Sequence, residues 1–203
     1  MLPATARIWI STQPPPMAPR VLRIGRAAEV RSGRRVSRNK RTAGEARLST
    51  DILILVPMPV IIVGADTAIG IRIVESMVEP GREVRAFVSD VTHAEKLKRI
   101  GVKVALGDVS DPSHVGGACT HCFSVVLITE AAADGRDRAF ASDVQTVLDG
   151  WAEAARDADV SRVIWVTDRE QLPPINGVET AIVHPGAPDP VAEVVRLDDA
   201  ATI

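Results

Sequence analysis

The chemistry in this chain concentrates in seven residues, Gly64-Ala65-Asp66-Thr67-Ala68-Ile69-Gly70. They follow a continuous β-branched run at residues 60–63 and precede an apolar-periodic stretch, so they form a strand-to-helix turn. Such a turn aims backbone N–H groups and the positive end of a helix dipole at one point, an arrangement that holds two linked phosphates. Gly64 permits the tight turn, and Gly70 permits close contact between helix and sheet. An ordinary βα turn is the competing reading. Strand, turn, helix and second strand nevertheless arrive at the spacing of a dinucleotide-binding unit.

A second constellation, Cys119-Thr120-His121-Cys122, has the C-x-x-C spacing of redox and metal sites. Its position argues for packing instead. A reactive thiolate is favoured at a helix N-terminus, whereas this pair lies between the end of a short helix and a strand. Structural zinc takes four ligands, and His93 and His114 are not placed by the pattern to supply the others. No metal is expected.

The elements that position the turn alternate. Residues 60–63 form the first strand. A helix over 68–78 puts Ile69, Ile73, Val74 and Met77 on one face and stops at Glu79-Pro80-Gly81. Then follow a strand at 83–88, a polar helix at 92–100, a strand at 102–106 and a short helix from Asp111-Pro112, where aspartate caps and proline fits the first turn. A fourth strand is expected at 123–128 and a fifth at 162–166. Between them a long helix at 137–158 carries Phe140, Val144, Val147, Leu148, Trp151 and Ala155 as its core stripe. A short strand at 180–183 follows Pro173-Pro174 and Asn176-Gly177 with no room for a full helix, and residues 191–203 read as a closing helix. This pattern predicts an α/β fold: a doubly wound parallel sheet of Rossmann type in three layers, α/β/α, with its ligand site at the carboxyl ends of the strands.

The overall charge of −2 averages two unlike regions. Residues 1–50 hold eleven Lys and Arg against Glu29 and Glu45, a net of +9, which leaves −11 for the rest. An acidic folded part offers no footprint for nucleic acid, so any such affinity would belong to the front segment, where Trp9 is the one aromatic. That segment lacks sustained periodicity and contains Pro14-Pro15-Pro16 and the run Arg34-Arg35-Val36-Ser37-Arg38-Asn39-Lys40-Arg41. Residues 1–57 are expected to be a disordered tail, a removable targeting peptide, or translated sequence upstream of a start at Met58. The last is favoured because Met58 immediately precedes the first strand. Residues 58–203 are then the folded domain. Two cysteines suit a reducing cytoplasm. The apolar stretch 52–65 is shorter than the roughly 20 residues that cross a bilayer, and Pro57 and Pro59 interrupt it, so no membrane association is expected.

The chain resembles the NmrA-like, atypical short-chain dehydrogenase/reductase family. The likeness runs through Val63-Gly64-Ala65, Ile69-Gly70, Val84-Arg85-Ala86-Phe87-Val88, Gly101-Val102, Gly107-Asp108, Asp111-Pro112 and the fourth and fifth strands. It continues more thinly through residues 177–186. The resemblance implies an NAD(P)-binding protein with Gly64, Asp66, Thr67, Ala68, Ile69 and Gly70 around the phosphates. Asp108 and Val109 would border the adenine, and Thr129 and Thr167 would approach the ribose and nicotinamide. The family's middle glycine is Thr67 here, which implies a tighter loop and weaker binding. After the second strand, Ser89 stands where NADP-preferring members have arginine, and Asp90 follows. A carboxylate there accepts a ribose 2′-hydroxyl and repels a 2′-phosphate, so the cofactor is NAD or NADP with a lean to NAD. The alternative is a solvated turn aspartate.

The wider family's reductases use a tyrosine and a lysine four residues on, and this chain has no tyrosine at all. Asp168 and His184, after the fifth and sixth strands, are the remaining acid or base candidates. Relatives that reduce quinones or flavins take the proton from solvent and need only a placed hydride donor. About 35 residues follow Thr167, fewer than the family's substrate region. The pocket is then shallow, or a partner subunit completes it in a homo-oligomer. Three readings follow: a reductase of a small acceptor such as a quinone, a dinucleotide sensor acting on a regulated protein partner, or a degenerate Rossmann domain without ligand.

Overall fold

Six parallel strands form the centre of the unit that the described residues build: β1 (Val60–Val63), β2 (Val84–Val88), β3 (Lys103–Leu106), β4 (Ser124–Ile128), β5 (Arg162–Val166) and β6 (Glu179–Val183), in the spatial order 3-2-1-4-5-6. The computed structural model describes residues 58–135 and 140–203. β1 pairs with β2 on one side and β4 on the other, with Val63 level with Phe87 and Leu127. Chain direction away from the sheet centre reverses there, at the switch point where such sheets bind ligands. Strand side chains alternate between two cores. Ile61, Val63, Leu127 and Trp165 face α3 (Pro112–Cys119), α4 (Thr129–Ala133) and α5 (Val144–Asp157). Val60, Ile62, Ile128 and Ile164 face α1 (Ala68–Met77), α2 (Val91–Arg99) and α6 (Pro190–Asp199). Both faces are covered, which is why the central strands β1, β4 and β5 are apolar apart from Ser124 and Arg162 at the amino ends of β4 and β5.

The expected doubly wound α/β sheet and its element order are present, and β1 and β5 have their expected bounds. Three local expectations change. Phe140, assigned to the stripe of the long helix, is 65% exposed and precedes that helix. The helix starts at Val144 because the Asp143 carboxylate accepts from the Thr146 amide and caps it there. The closing helix ends at Asp199 rather than at the last residue. A five-residue helix, α4, also follows β4 directly, too short for periodicity to reveal. The expectations for residues 1–57, and for the long helix over 137–139, lie outside the described residues. No helix among the described residues is long and apolar enough to cross a membrane.

The amino-end edge of the sheet is held by a buried polar cluster. Arg162 is fully buried at the start of β5. Its guanidinium donates to Glu179 Oε2 on β6 at 2.6 and 2.9 Å and to the carbonyls of Leu197 and Asp198 at 2.7 and 2.8 Å. Those carbonyls end α6, where a cation also opposes the helix dipole. Asp198 in turn accepts from Arg82 and from Ser124 of β4. The cluster thus ties α6 to three strands and to the α1–β2 turn.

Cys119 and Cys122 are both free and buried. Burial pushes the Cys119 thiol up to about 12 and raises that of Cys122 as well. Among the described residues no group of three or more His, Cys, Asp or Glu side chains could hold a metal. His93 and His114 lie against Asp90 and Asp111, their own helix caps. Two outcomes follow. Arg162→Ala leaves buried carbonyls and Glu179 unpaired and should cost about 3 kcal/mol in urea unfolding; a loss below about 0.5 kcal/mol contradicts this role. Thiol reagents at neutral pH should label neither cysteine in the native protein and both after unfolding, whereas rapid native labelling would restore the redox reading.

Candidate functional site

The turn between β1 and α1 is built around two positions that only glycine can fill. Gly64 has φ +83°, and a Cβ there would stand 2.6 Å from Ala131 Cβ of α4. A Cβ on Gly70 would stand 2.3 Å from the Gly64 carbonyl oxygen and 2.8 Å from Ala65 Cα. The first turn of α1 therefore lies directly on the end of β1. Thr67 fits this compact turn with its side chain buried inside it. Its hydroxyl donates to the Gly64 carbonyl at 2.8 Å and accepts from the Gly70 amide at 3.0 Å, capping α1. The amides of Ala68 and Ile69 have no partner among the described residues, and Ala68 is exposed. A helix start with two amides unpartnered among the described residues, above glycines that admit no Cβ, fits linked phosphates.

Asp66 crosses from this turn to the next strand end. Its Oδ2 accepts from the amides of Ser89 at 2.8 Å and Asp90 at 3.1 Å. The Ser89 hydroxyl donates onward to the Gly107 carbonyl at 3.0 Å. Asp90 caps α2: Oδ1 accepts from the Thr92 amide at 2.6 Å and from that of His93 at 3.4 Å. The Thr92 amide is the largest influence holding the Asp90 carboxyl below its usual range. Gly64, Asp66, Thr67, Ala68, Ile69, Gly70, Ser89 and Asp90 are thus brought together at the ends of β1 and β2.

The loop after β3 is less open to a ligand than the sequence suggests. Asp108 Oδ1 accepts from the amide and hydroxyl of Ser110, at 2.8 and 2.7 Å. Val109 is wholly buried, and its carbonyl accepts from the Trp151 indole at 2.6 Å. The Ser110 oxygen also accepts from the amides of Phe140 and Ala141, both at 3.2 Å, which places the exposed Phe140 beside this loop. Sequence reasoning passed over Ser110 because two of its partners, Phe140 and Ala141, lie 30 and 31 positions away.

Thr129 and Thr167 meet at the ends of β4 and β5 with their hydroxyl oxygens 2.8 Å apart, and both are buried. The Thr167 oxygen also accepts from the Arg169 amide at 3.0 Å. They join neighbouring strand ends beneath the surface. Asp168 and His184 are exposed beyond them, and the structure does not join either to the turn. Two grooves among the described residues lie elsewhere. One, of about 410 Å³, runs between α3 and α5 past Pro112, Gly116, Gly117 and Ala154; the other is at the amino-end edge near Arg82 and Ile100.

Residues 64–173, more than half of the chain, match the family model described as NAD(P)H-binding. No curated protein matches the chain. Among solved structures, ChuY, an anaerobillin reductase from Escherichia coli O157:H7, is 21% identical with a TM-score of 0.53, over 71% of this chain and 92% of ChuY. Triphenylmethane reductase of Citrobacter sp., solved with NADP(H), is 21% identical with a TM-score of 0.44, over 53% of this chain and 36% of the enzyme. An NADPH-dependent quinone oxidoreductase of Escherichia coli, solved with NADPH, is 20% identical with a TM-score of 0.44, again over 53% and 36%. The chain spans only about a third of the length of these last two. At such identities the likeness is one of fold. The match of the family model, from Gly64 of the turn to the residues just after β5, shows that the chain belongs to the NAD(P)H-binding family, in keeping with the NmrA-like, atypical short-chain dehydrogenase/reductase pattern of its sequence.

Proposed function

We propose that residues 58–203 act as an NAD(P)H-dependent reductase of a small oxidised acceptor such as a quinone, with the dinucleotide pyrophosphate on the β1–α1 turn. The observation that carries this reading is the free pair of amides at Ala68 and Ile69 above a turn that admits no Cβ at Gly64 or Gly70. Gly64 and Gly70 set the helix start, Thr67 caps it from inside, and the strand ends bearing Ser89, Asp108, Thr129 and Thr167 lie along the same edge.

When bound, the reduced dinucleotide supplies a hydride, which carries two electrons and one proton to the acceptor. The second proton comes from water, since the chain contains no tyrosine to donate it and neither Asp168 nor His184 is joined to the turn. The task left to the protein is placement: holding the nucleotide at the switch point and leaving the acceptor access from solvent. A lean to NAD over NADP belongs to this reading, because Ser89 stands where the resemblance places the arginine of NADP-preferring members.

The missing tyrosine equally favours a second reading, in which the domain binds dinucleotide without turnover and signals to a protein partner. Calorimetric titration of the full chain with NADH and NADPH, followed by their oxidation against a panel of quinones, distinguishes the two. Binding with turnover supports the reductase, and binding without turnover supports the sensor. Ala68→Glu places a carboxylate at the exposed first position of α1, where the dipole favours it and folding is preserved. It should weaken dinucleotide binding on the order of tenfold or more by repelling the phosphates. Unchanged affinity in this variant would place the nucleotide elsewhere.

A further inference from the structure

We infer that Asp66, from within the phosphate turn, is the residue that selects against a 2′-phosphorylated dinucleotide; this rests on the pyrophosphate placement proposed above. In an open parallel sheet of this order, a nucleotide whose phosphates lie at the start of α1 has its adenosine ribose at the end of β2. The groups there are the amides of Ser89 and Asp90. Backbone amides at a strand-to-helix junction are natural donors to a phosphate. Here both are taken by one carboxylate oxygen, Asp66 Oδ2, at 2.8 and 3.1 Å. A 2′-phosphate would have to displace that carboxylate from its two donors or lie against it.

A ribose 2′-hydroxyl meets the opposite situation, since it donates a hydrogen bond to a carboxylate without adding charge. Asp90, the acid that the sequence offers for this task, is otherwise engaged: its Oδ1 caps α2 through the Thr92 amide at 2.6 Å, and its Oδ2 lies 3.4 Å from His93 Nδ1. Its negative charge adds to that of Asp66, but its oxygens serve its own helix. The two acids come from different turns, 24 positions apart, and meet only because β1 and β2 are neighbours in the sheet. Discrimination therefore lies in the glycine turn itself, not only after the second strand.

The test is calorimetry of the full chain with NADH and with NADPH, on the wild type, Asp66→Asn, Asp66→Thr and Asp90→Asn. Asparagine keeps an oxygen for both amides while removing the charge, so it isolates the electrostatic part; threonine removes the reach as well. The wild type should bind NADH on the order of tenfold more tightly than NADPH. Asp66→Asn and Asp66→Thr should bring the ratio toward one by strengthening NADPH binding, and Asp90→Asn should change it less. Melting temperatures confirm that each variant is folded. A wild-type preference for NADPH, an unchanged ratio in both Asp66 variants, or a larger effect at Asp90 overturns the assignment. A folded Asp66→Asn that loses both nucleotides alike also overturns it, because Asp66 would then support binding without discriminating. If the wild type binds neither nucleotide, the phosphate placement itself fails and this inference with it.

Discussion

The close approach of the first turn of α1 to the end of β1 is the contact on which the site depends. With a hydrogen at Gly70 against the Gly64 carbonyl, the helix starts directly above the central strand and its free amides face the carboxyl edge of the sheet. Any Cβ at that point would push the helix away, and the convergence of N–H groups on a common point would be lost. Thr67 makes the contact self-supporting, because its hydroxyl spans the Gly64 carbonyl and the Gly70 amide. The residue that in the sequence implied a tighter loop is, in the fold, a buried cap inside that loop.

Around this contact the strand ends are cross-linked rather than independent. Asp66 joins β1 to the end of β2, Ser89 joins β2 to the loop after β3, and the paired hydroxyls of Thr129 and Thr167 join β4 to β5. The opposite edge has its own fastening in Arg162, Glu179 and Asp198, which holds α6 against the sheet. The two polar systems lie at opposite ends of the strands. The amino-end cluster keeps the sheet and its last helix in register, and the carboxyl-end links set the spacing of the candidate ligand groups.

Legibility in the sequence followed the range of the interactions. β1 was readable to the residue because an unbroken apolar β-branched run has few alternatives, β5 because the apolar run 163–166 is bounded by Arg162 and Thr167, and the glycine turn because its geometry is local. Phe140 misled because it continues an i, i+4 series that the Asp143 cap cuts short three residues later. Asp66, Ser110 and Arg162 were illegible in their roles for one reason: each acts on partners between 17 and 36 positions away, which only the assembled sheet brings near. Thr129 and Thr167 directly follow β4 and β5 and Val109 lies in the loop after β3, but nothing local in the sequence shows that packing buries all three.

The most direct measurement is amide chemical-shift mapping of the isotopically labelled full chain as NADH is added. Dinucleotide held at the β1–α1 turn predicts the largest movements at Ala68 and Ile69, with smaller ones at neighbouring residues of the turn and at Ser89. The account is contradicted if those two amides stay fixed at saturation while residues lining the α3–α5 groove, such as Gly116 and Gly117, move instead.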